Sequence, residues 1–304
     1  MRKPKIMKIV VNTPAGNIGR SVVEQLLAAK ETVVIISRNP AKVADLVARG
    51  ALLVKGSIDD PAVLKRAFEG AKAVFWLTPF APEQTDYVNW ARKTGQMAAA
   101  AVKREGVKRV VLVSSVGAQH DSGVGPIGCL PVIEAAFRNA APEVTSLRAG
   151  SFMENYLFDV GTIAKFGTIF GPHRADMKIP RVAARDIASK AVEAITASSS
   201  SGYRIVGVHG PEDLTPVRAA EIIGEGIGRP IRYVEVTVEQ AKAGMLDAGL
   251  PGFMVDLLGD MYTGFREGRM ASAEPRSAET TTRTTLLEFS RQVLKPAIDA
   301  ASRE

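Results

Sequence analysis

Between Lys8 and Arg20 the chain reads KIVVNTPAGNIGR: a β-branched run, a tight turn carrying Gly16 and Gly19, then Ser21–Lys30 with helical periodicity. A strand that passes through so short a turn into a helix must belong to a layered α/β arrangement. Free backbone N–H groups and the positive end of the helix dipole converge just beyond the strand, where a pyrophosphate can sit. Gly16 lets the backbone approach such a group, and Gly19 lets the helix pack closely on the strand. Thr13 stands where the usual fingerprint has its first glycine. The turn alone therefore describes an ordinary connection as well as it describes a nucleotide site.

The same rhythm continues. Short strands are expected at Thr32–Ser37, Ala51–Lys55, Ala73–Leu77, Arg109–Val113 and Val144–Ala149. Helices are expected around Ala41–Arg49, after Pro61, over Asp86–Arg104 and near Pro131–Ala140. Strands alternating with helices indicate a parallel sheet with crossover helices. Past Gly150 the pattern changes to a helix at Met153–Lys165, a short strand at Thr168–Phe170, a strand-to-helix return over Arg181–Ala197 and a strand at Gly202–Val208. From Pro211 onward the chain reads as mostly helical, with an extended Ile231–Val236. Ser272–Thr282, rich in Ser, Thr, Ala and Glu, reads as a mobile loop. Thr285 and Glu288 have capping-box spacing and open a last helix expected to stop near Pro296.

Composition narrows the chemistry. One cysteine, Cys129, leaves no internal disulfide framework and no cysteine-built metal site. His120, His173 and His209 are far apart, so no metal is expected. No run approaches the roughly 20 apolar residues of a membrane span, and the N-terminal run is a short strand, so a cytoplasmic setting is expected. The net charge of +7 comes from scattered pairs such as Arg92-Lys93 and Lys108-Arg109. With no aromatic interleaving, nucleic acid is not the expected partner.

Ligands of open parallel sheets bind beyond the C-terminal ends of the strands. Those ends are Asn12–Gly19, Arg38, Ser57–Asp59, Thr78-Pro79-Phe80, Ser114–Val116 and Gly150 onward. No acidic residue lies between Thr32 and Pro40, and Arg38 ends the second strand. An arginine there suits a 2′-phosphate better than a free ribose hydroxyl. Thr78, Pro79, Phe80 and Ser114 would then flank the ribose and nicotinamide. His120 and Ser115 are candidate proton donors. Cys129 reads as a small buried hydrophobe, and Asp59-Asp60 as the start of a helix.

Taken together, these residues resemble the NmrA-like branch of the atypical short-chain dehydrogenases/reductases. Leu147–Asn155, LRAGSFMEN, is similar to that family's LRPxxFMEN signature, with Ala149 at the proline. Gly16–Gly19, Ser37–Pro40, Val110–Ala118, Arg185–Ala188, Gly228–Tyr233 and Thr285–Arg291 also match. The resemblance implies a Rossmann-type doubly wound parallel sheet in residues 1–155, rejoined by 183–212. The remainder, 156–304, would form a smaller, mostly helical substrate domain. It implies NADP(H), preferred over NAD(H), with Thr13, Gly16, Asn17, Ile18 and Gly19 on the pyrophosphate, Arg38 on the 2′-phosphate and Ser57-Ile58 near adenine. Phe152, Met153, Glu154 and Asn155 would line the nicotinamide side.

The Tyr-x-x-x-Lys relay of typical short-chain dehydrogenases is missing: none of the five tyrosines has a lysine four residues on, and Tyr262 meets Arg266 instead. No lysine occurs between Lys108 and Lys165, so a cofactor-contacting lysine known in some relatives is absent too. Two functions follow. One is a reductase passing hydride to a quinone, an imine or an activated double bond, with Phe152, Phe80 and Trp76 as stacking walls and Ser115, His120, Tyr156 or water supplying protons. The other is a non-catalytic NADP(H) sensor acting through a protein partner. A homodimer is compatible with either.

Overall fold

The computed structural model describes residues 7–198 and 202–302. The chain begins with β1 (Lys8–Val11), α1 (Asn17–Ala28), β2 (Thr32–Ser37), α2 (Ala44–Ala48), β3 (Leu52–Lys55), α3 (Pro61–Phe68) and β4 (Ala71–Leu77). It continues through α4 (Tyr87–Glu105), β5 (Arg109–Ser115), α5 (Leu130–Arg138) and β6 (Glu143–Ala149). Next come β7 (Ser151–Phe152), α6 (Val160–Phe166), β8 (Thr168–Gly171), β9 (Ile179–Val182), α7 (Ala184–Thr196) and β10 (Gly202–Val208). Last are β11 (Asp213–Leu214), α8 (Pro216–Ile227), β12 (Arg232–Glu235), α9 (Val238–Asp247), α10 (Gly252–Arg266), α11 (Leu286–Phe289) and α12 (Lys295–Ala301).

Seven strands form the main sheet in the order β10-β6-β5-β4-β1-β2-β3. The pairs β1–β2, β1–β4, β2–β3 and β4–β5 are parallel. β6 runs the same way: Glu143 N–H reaches Lys108 O near its start, and Val116 N–H reaches Ala149 O at its end. β10 follows suit, with Gly202 N–H on Pro142 O and Gly150 N–H on Val208 O. This is the expected Rossmann-type, doubly wound parallel sheet. Its central strands carry near-continuous apolar runs, and Ile9–Val11, Val33–Ile36 and Val110–Leu112 are all buried, as strands covered on both faces must be. The order reverses between β1 and β4, so a crevice opens at the C-terminal end of β1.

Packing divides the chain into two units. One comprises the residues up to Ser115 with Cys129–Arg148 and Ile187–Val206; the other holds Val116–Gly128, Ala149–Asp186 and Gly207–Glu304. The second unit contains a three-stranded sheet, β11-β9-β7, and the pair β12–β8. Ile163, Ile223, Ile227, Leu286, Phe289 and Leu294 lie in its core.

Three local expectations are corrected. Met153–Asp159 is a 3-10 stretch, and α-helix begins only at Val160. Glu154 is held there by the backbone of Ala184, which keeps the first turn tight. The final helix does not end near Pro296. A π turn at Ser290–Leu294 interrupts it, and Pro296 then falls in the first turn of α12, where its missing N–H costs nothing. The expected mobile loop at Ser272–Thr282 is pinned: His209 exchanges backbone hydrogen bonds with Thr280 and Thr282, and Arg276 holds Asp213 and Gly210 O.

Candidate functional site

In the first unit the turn after β1 is open and built for an anion. Thr13 adopts φ +52°, the left-handed region in which glycine is at ease and a β-branched residue is not. Its carbonyl receives the Gly16 N–H at 3.1 Å. A Cβ on Gly19 would lie 2.2 Å from that same carbonyl oxygen, so helix and turn approach as closely as the missing side chain allows. Gly16 is the extended N-cap of α1 and no side chain caps the helix. Ala15, Gly16 and Asn17 are exposed, and the first amides of α1 have no side-chain cap and the helix dipole behind them. Asn12 locks the turn to the neighbouring strand, its amide group donating to Leu77 O and accepting from Leu77 N–H, both at 2.8 Å. Thr13 Oγ1 and Thr78 Oγ1, at the ends of β1 and β4, are buried with no hydrogen-bond partner.

Arg38, at the end of β2, is exposed and reaches Glu83 at 3.5 Å. Asp59 accepts from the Trp90 indole N–H at 3.1 Å. The Ser57 hydroxyl, then Trp90 and the charge of Arg38, hold its carboxyl below the ordinary value against the effect of burial. Phe80 is 53% exposed, and its ring leads through Tyr87 (6.4 Å) to Trp90 (6.0 Å). Ile58 and Pro79 are half-buried beside these residues in sequence. Glu83 and Trp90 escaped sequence reasoning because each is tens of residues from its partner.

Two expected contacts turn inward. Trp76 is fully buried against Phe137 and is core, not a stacking wall. The Ser114 hydroxyl donates to Glu134 at 2.6 Å inside a buried network, in which Arg148 pairs with Glu134 at 2.8 Å and the Tyr203 hydroxyl reaches it at 3.1 Å. Only the backbone of Ser114 is left to meet a ligand. Ser115 next to it is half-buried.

In the second unit the FMEN segment divides its labour. Met153 is 1% exposed and belongs to the core. Both Glu154 oxygens accept from the Ala184 N–H at 3.0 Å at the start of α7, and burial raises its carboxyl. Phe152 and Glu154 are half-buried and Asn155 is exposed. Tyr156 is buried beneath the Arg181 guanidinium, 5.0 Å away, and burial raises its hydroxyl, so it is a poor proton donor. His120 is half-buried in its loop, with its backbone N–H on Gly117 O. Cys129 is buried, and burial pushes its thiol up to about 12. The near-relay Tyr262/Arg266 is no relay: Arg266 is committed to Pro172 O and Glu235, each at 2.9 Å.

His173 packs edge-on against Phe265 at 4.7 Å and Tyr262 at 5.5 Å, with its Nδ1 buried and unpartnered. Burial, then the charges of Arg181 and Arg266, lower it to about 4. Between 6.5 and 4 the unfolded chain binds a proton that the folded protein refuses. His173 therefore costs nothing above pH 6.5 and removes up to about 3 kcal/mol of stability as the pH falls toward 4. His173→Gln is expected to flatten that part of the curve in urea unfolding; an unchanged slope would place the titration elsewhere.

Among the described residues, no cluster of His, Cys, Asp and Glu could hold a metal, and no helix is long and apolar enough to cross a membrane. The second unit also contains a cavity of about 400 Å³ lined by Met177, Ile179, Phe265 and Met270 among others.

The model of the NmrA-like family matches residues 5–289. An NAD(P)H azoreductase from Xenophilus azovorans is 33% identical over 84% of this chain and 86% of its own length. The crystal structure of an NADPH-dependent quinone oxidoreductase from Escherichia coli, complexed with NADPH, superposes with a TM-score of 0.78 at 23% identity, covering 93% of this chain and 98% of that one. NmrA itself, a negative transcriptional regulator solved in complex with NADP, gives 0.75 at 17% identity over 98% of both chains. At these identities the two structures speak to the fold.

Proposed function

This chain belongs to the NmrA-like family, and from that premise we propose that it is an NAD(P)H-dependent reductase, with NADP(H) preferred, delivering hydride to a small-molecule acceptor. The observation that carries the reading is the uncapped start of α1 beside the left-handed Thr13. The residues fit a dinucleotide: uncapped helix amides suit a pyrophosphate, and the buried, unpartnered hydroxyl of Thr78 lacks the partner such a ligand supplies. Thr13, Gly16, Asn17, Ile18 and Gly19 would hold the phosphates, Arg38 the 2′-phosphate, and Ser57-Ile58 the adenine edge. When bound, the nicotinamide supplies the hydride; the protein supplies orientation and a dry wall. The absence of a Tyr-x-x-x-Lys pair, with Tyr156 buried, favours acceptors that need little acid help, such as a quinone, an imine or an activated double bond. The names of the azoreductase and the quinone oxidoreductase support that class.

Titration with NADPH and NADH, followed by nicotinamide oxidation with a quinone panel, tests this. NADPH is expected to bind at least about tenfold tighter, a gap of the size of one charge-assisted contact. Arg38→Ala should close it by weakening NADPH alone. Equal binding of both cofactors to the wild type would sink the preference. A buried Tyr156 also favours a second reading, a non-catalytic NADP(H) sensor with a protein partner, as NmrA is a regulator solved with NADP. NADPH that binds and is never oxidised selects that reading.

A further inference from the structure

Arg181 on β9 is 6% exposed, and among the described residues no side-chain hydrogen bond or ion pair satisfies its guanidinium. Its Nε is buried without a partner, and its guanidinium lies over the Tyr156 ring, 5.0 Å from the centroid. A buried charge left in this way is costly, and proteins ordinarily pair it. This one does so elsewhere, where Arg148 is held by Glu134.

The groups that face Arg181 are few. Tyr156 and Asp159 come from the 3-10 stretch, His173 from the segment between β8 and β9, and Tyr233 from β12. Tyr262 of α10 packs on His173 and faces Asp159. Asp159 is the one carboxylate in this group, and it lies beyond ion-pair distance from Arg181. Burial, opposed by Arg181, pushes its carboxyl up to about 7, so near neutrality it offsets the arginine only in part. His173 is neutral there. The surroundings of Arg181 thus keep a net positive charge near neutrality. Two residues along the same face of β9, Ile179 lines the cavity, where Met177, Phe265 and Met270 form an apolar side and Lys178, Asp213, Glu274 and Arg276 a charged one.

We propose that Arg181 is the receptor for an anionic substituent, a carboxylate, sulfonate or phosphate, on an otherwise apolar, ring-bearing ligand. That this ligand is the hydride acceptor rests on the reductase reading; its binding does not.

Calorimetry with naphthalene-2-sulfonate and the neutral naphthalene-2-sulfonamide separates the two claims. The sulfonate is expected to bind the wild type at least about tenfold tighter than the sulfonamide, the size of a hydrogen-bonded charge contact. Arg181→Gln should erase that difference, and Arg181→Lys should keep part of it. Because Arg181 has no partner to lose, the thermal midpoint of Arg181→Gln should stay level or rise. The sulfonate stays ionised throughout, so its affinity should fall as pH rises through about 7, where Asp159 ionises; Asp159→Asn should remove the fall. Equal binding of sulfonate and sulfonamide, or a clear drop in the midpoint of Arg181→Gln, overturns the proposal. In turnover with NADPH, Arg181→Gln should raise KM for 1,4-naphthoquinone-2-sulfonate and spare 1,4-naphthoquinone. If the wild type oxidises NADPH with neither quinone, the reductase reading falls while the calorimetry still decides the anion site.

Discussion

Gly19→Ala is expected to weaken NADPH binding about a hundredfold and to lower the thermal midpoint. The added Cβ would sit 2.2 Å from the Thr13 carbonyl oxygen and 2.8 Å from its carbonyl carbon, both backbone atoms that no rotamer change can move aside. Either α1 backs away from the turn or the turn opens. Overpacking of this kind costs about 1–3 kcal/mol. Either movement also misdirects the amides at the start of α1. Losing two charge-assisted contacts to a phosphate accounts for at least about a hundredfold. The companion variant works in the opposite sense. Thr13→Gly removes a β-branched residue from φ +52° and should bind NADPH at least as tightly as the wild type. Fluorescence titration of both variants is the check. A Gly19→Ala protein that binds like the wild type would show that this turn is only a turn.

Glu134→Ala is expected to have the largest effect on stability, about 3–5 kcal/mol in urea unfolding. Glu134 and Arg148 are 4% and 7% exposed, and the carboxylate also receives the Ser114 and Tyr203 hydroxyls. Truncation takes the counter-ion from a buried guanidinium and the acceptor from the buried Ser114 hydroxyl and the half-buried Tyr203 hydroxyl at once. Against a typical total of about 5–15 kcal/mol, that is enough to unfold a sizeable share of the protein at 37 °C. The double variant Glu134→Leu/Arg148→Met should recover most of the loss, because an apolar pair of similar volume has no charge to desolvate. If the single and double variants lose the same amount, the network stabilises through packing and not through charge.

How far the chain could be read from its letters depended on the range of the interaction. The strand–turn–helix at Lys8–Ala28, the alternation that makes the parallel sheet, and the cap of α3 by Asp60 all follow from local rules, since each group meets its partner within a few residues. The family signature was legible for the same reason, as a contiguous string from Leu147 to Asn155. What its letters do was not legible. Met153 is core, Glu154 caps α7, and Tyr156 is the platform under Arg181, because β9 and α7 return to this segment from about 30 residues away.

The sequence by itself determined the order of strands and helices, the open glycine turn, the arginine in place of an acid after β2 and the missing tyrosine–lysine relay. Those are matters of backbone propensity and of which residue types exist at a position. Only the tertiary structure decided which side chains are spent on one another: Ser114 on Glu134, Asn12 on Leu77, Arg38 on Glu83, and Arg181 on the Tyr156 ring, with no hydrogen bond or ion pair for its side chain among the described residues. Burial and pairing set the charge a group can carry, and both are made by contacts between distant segments that no local pattern records.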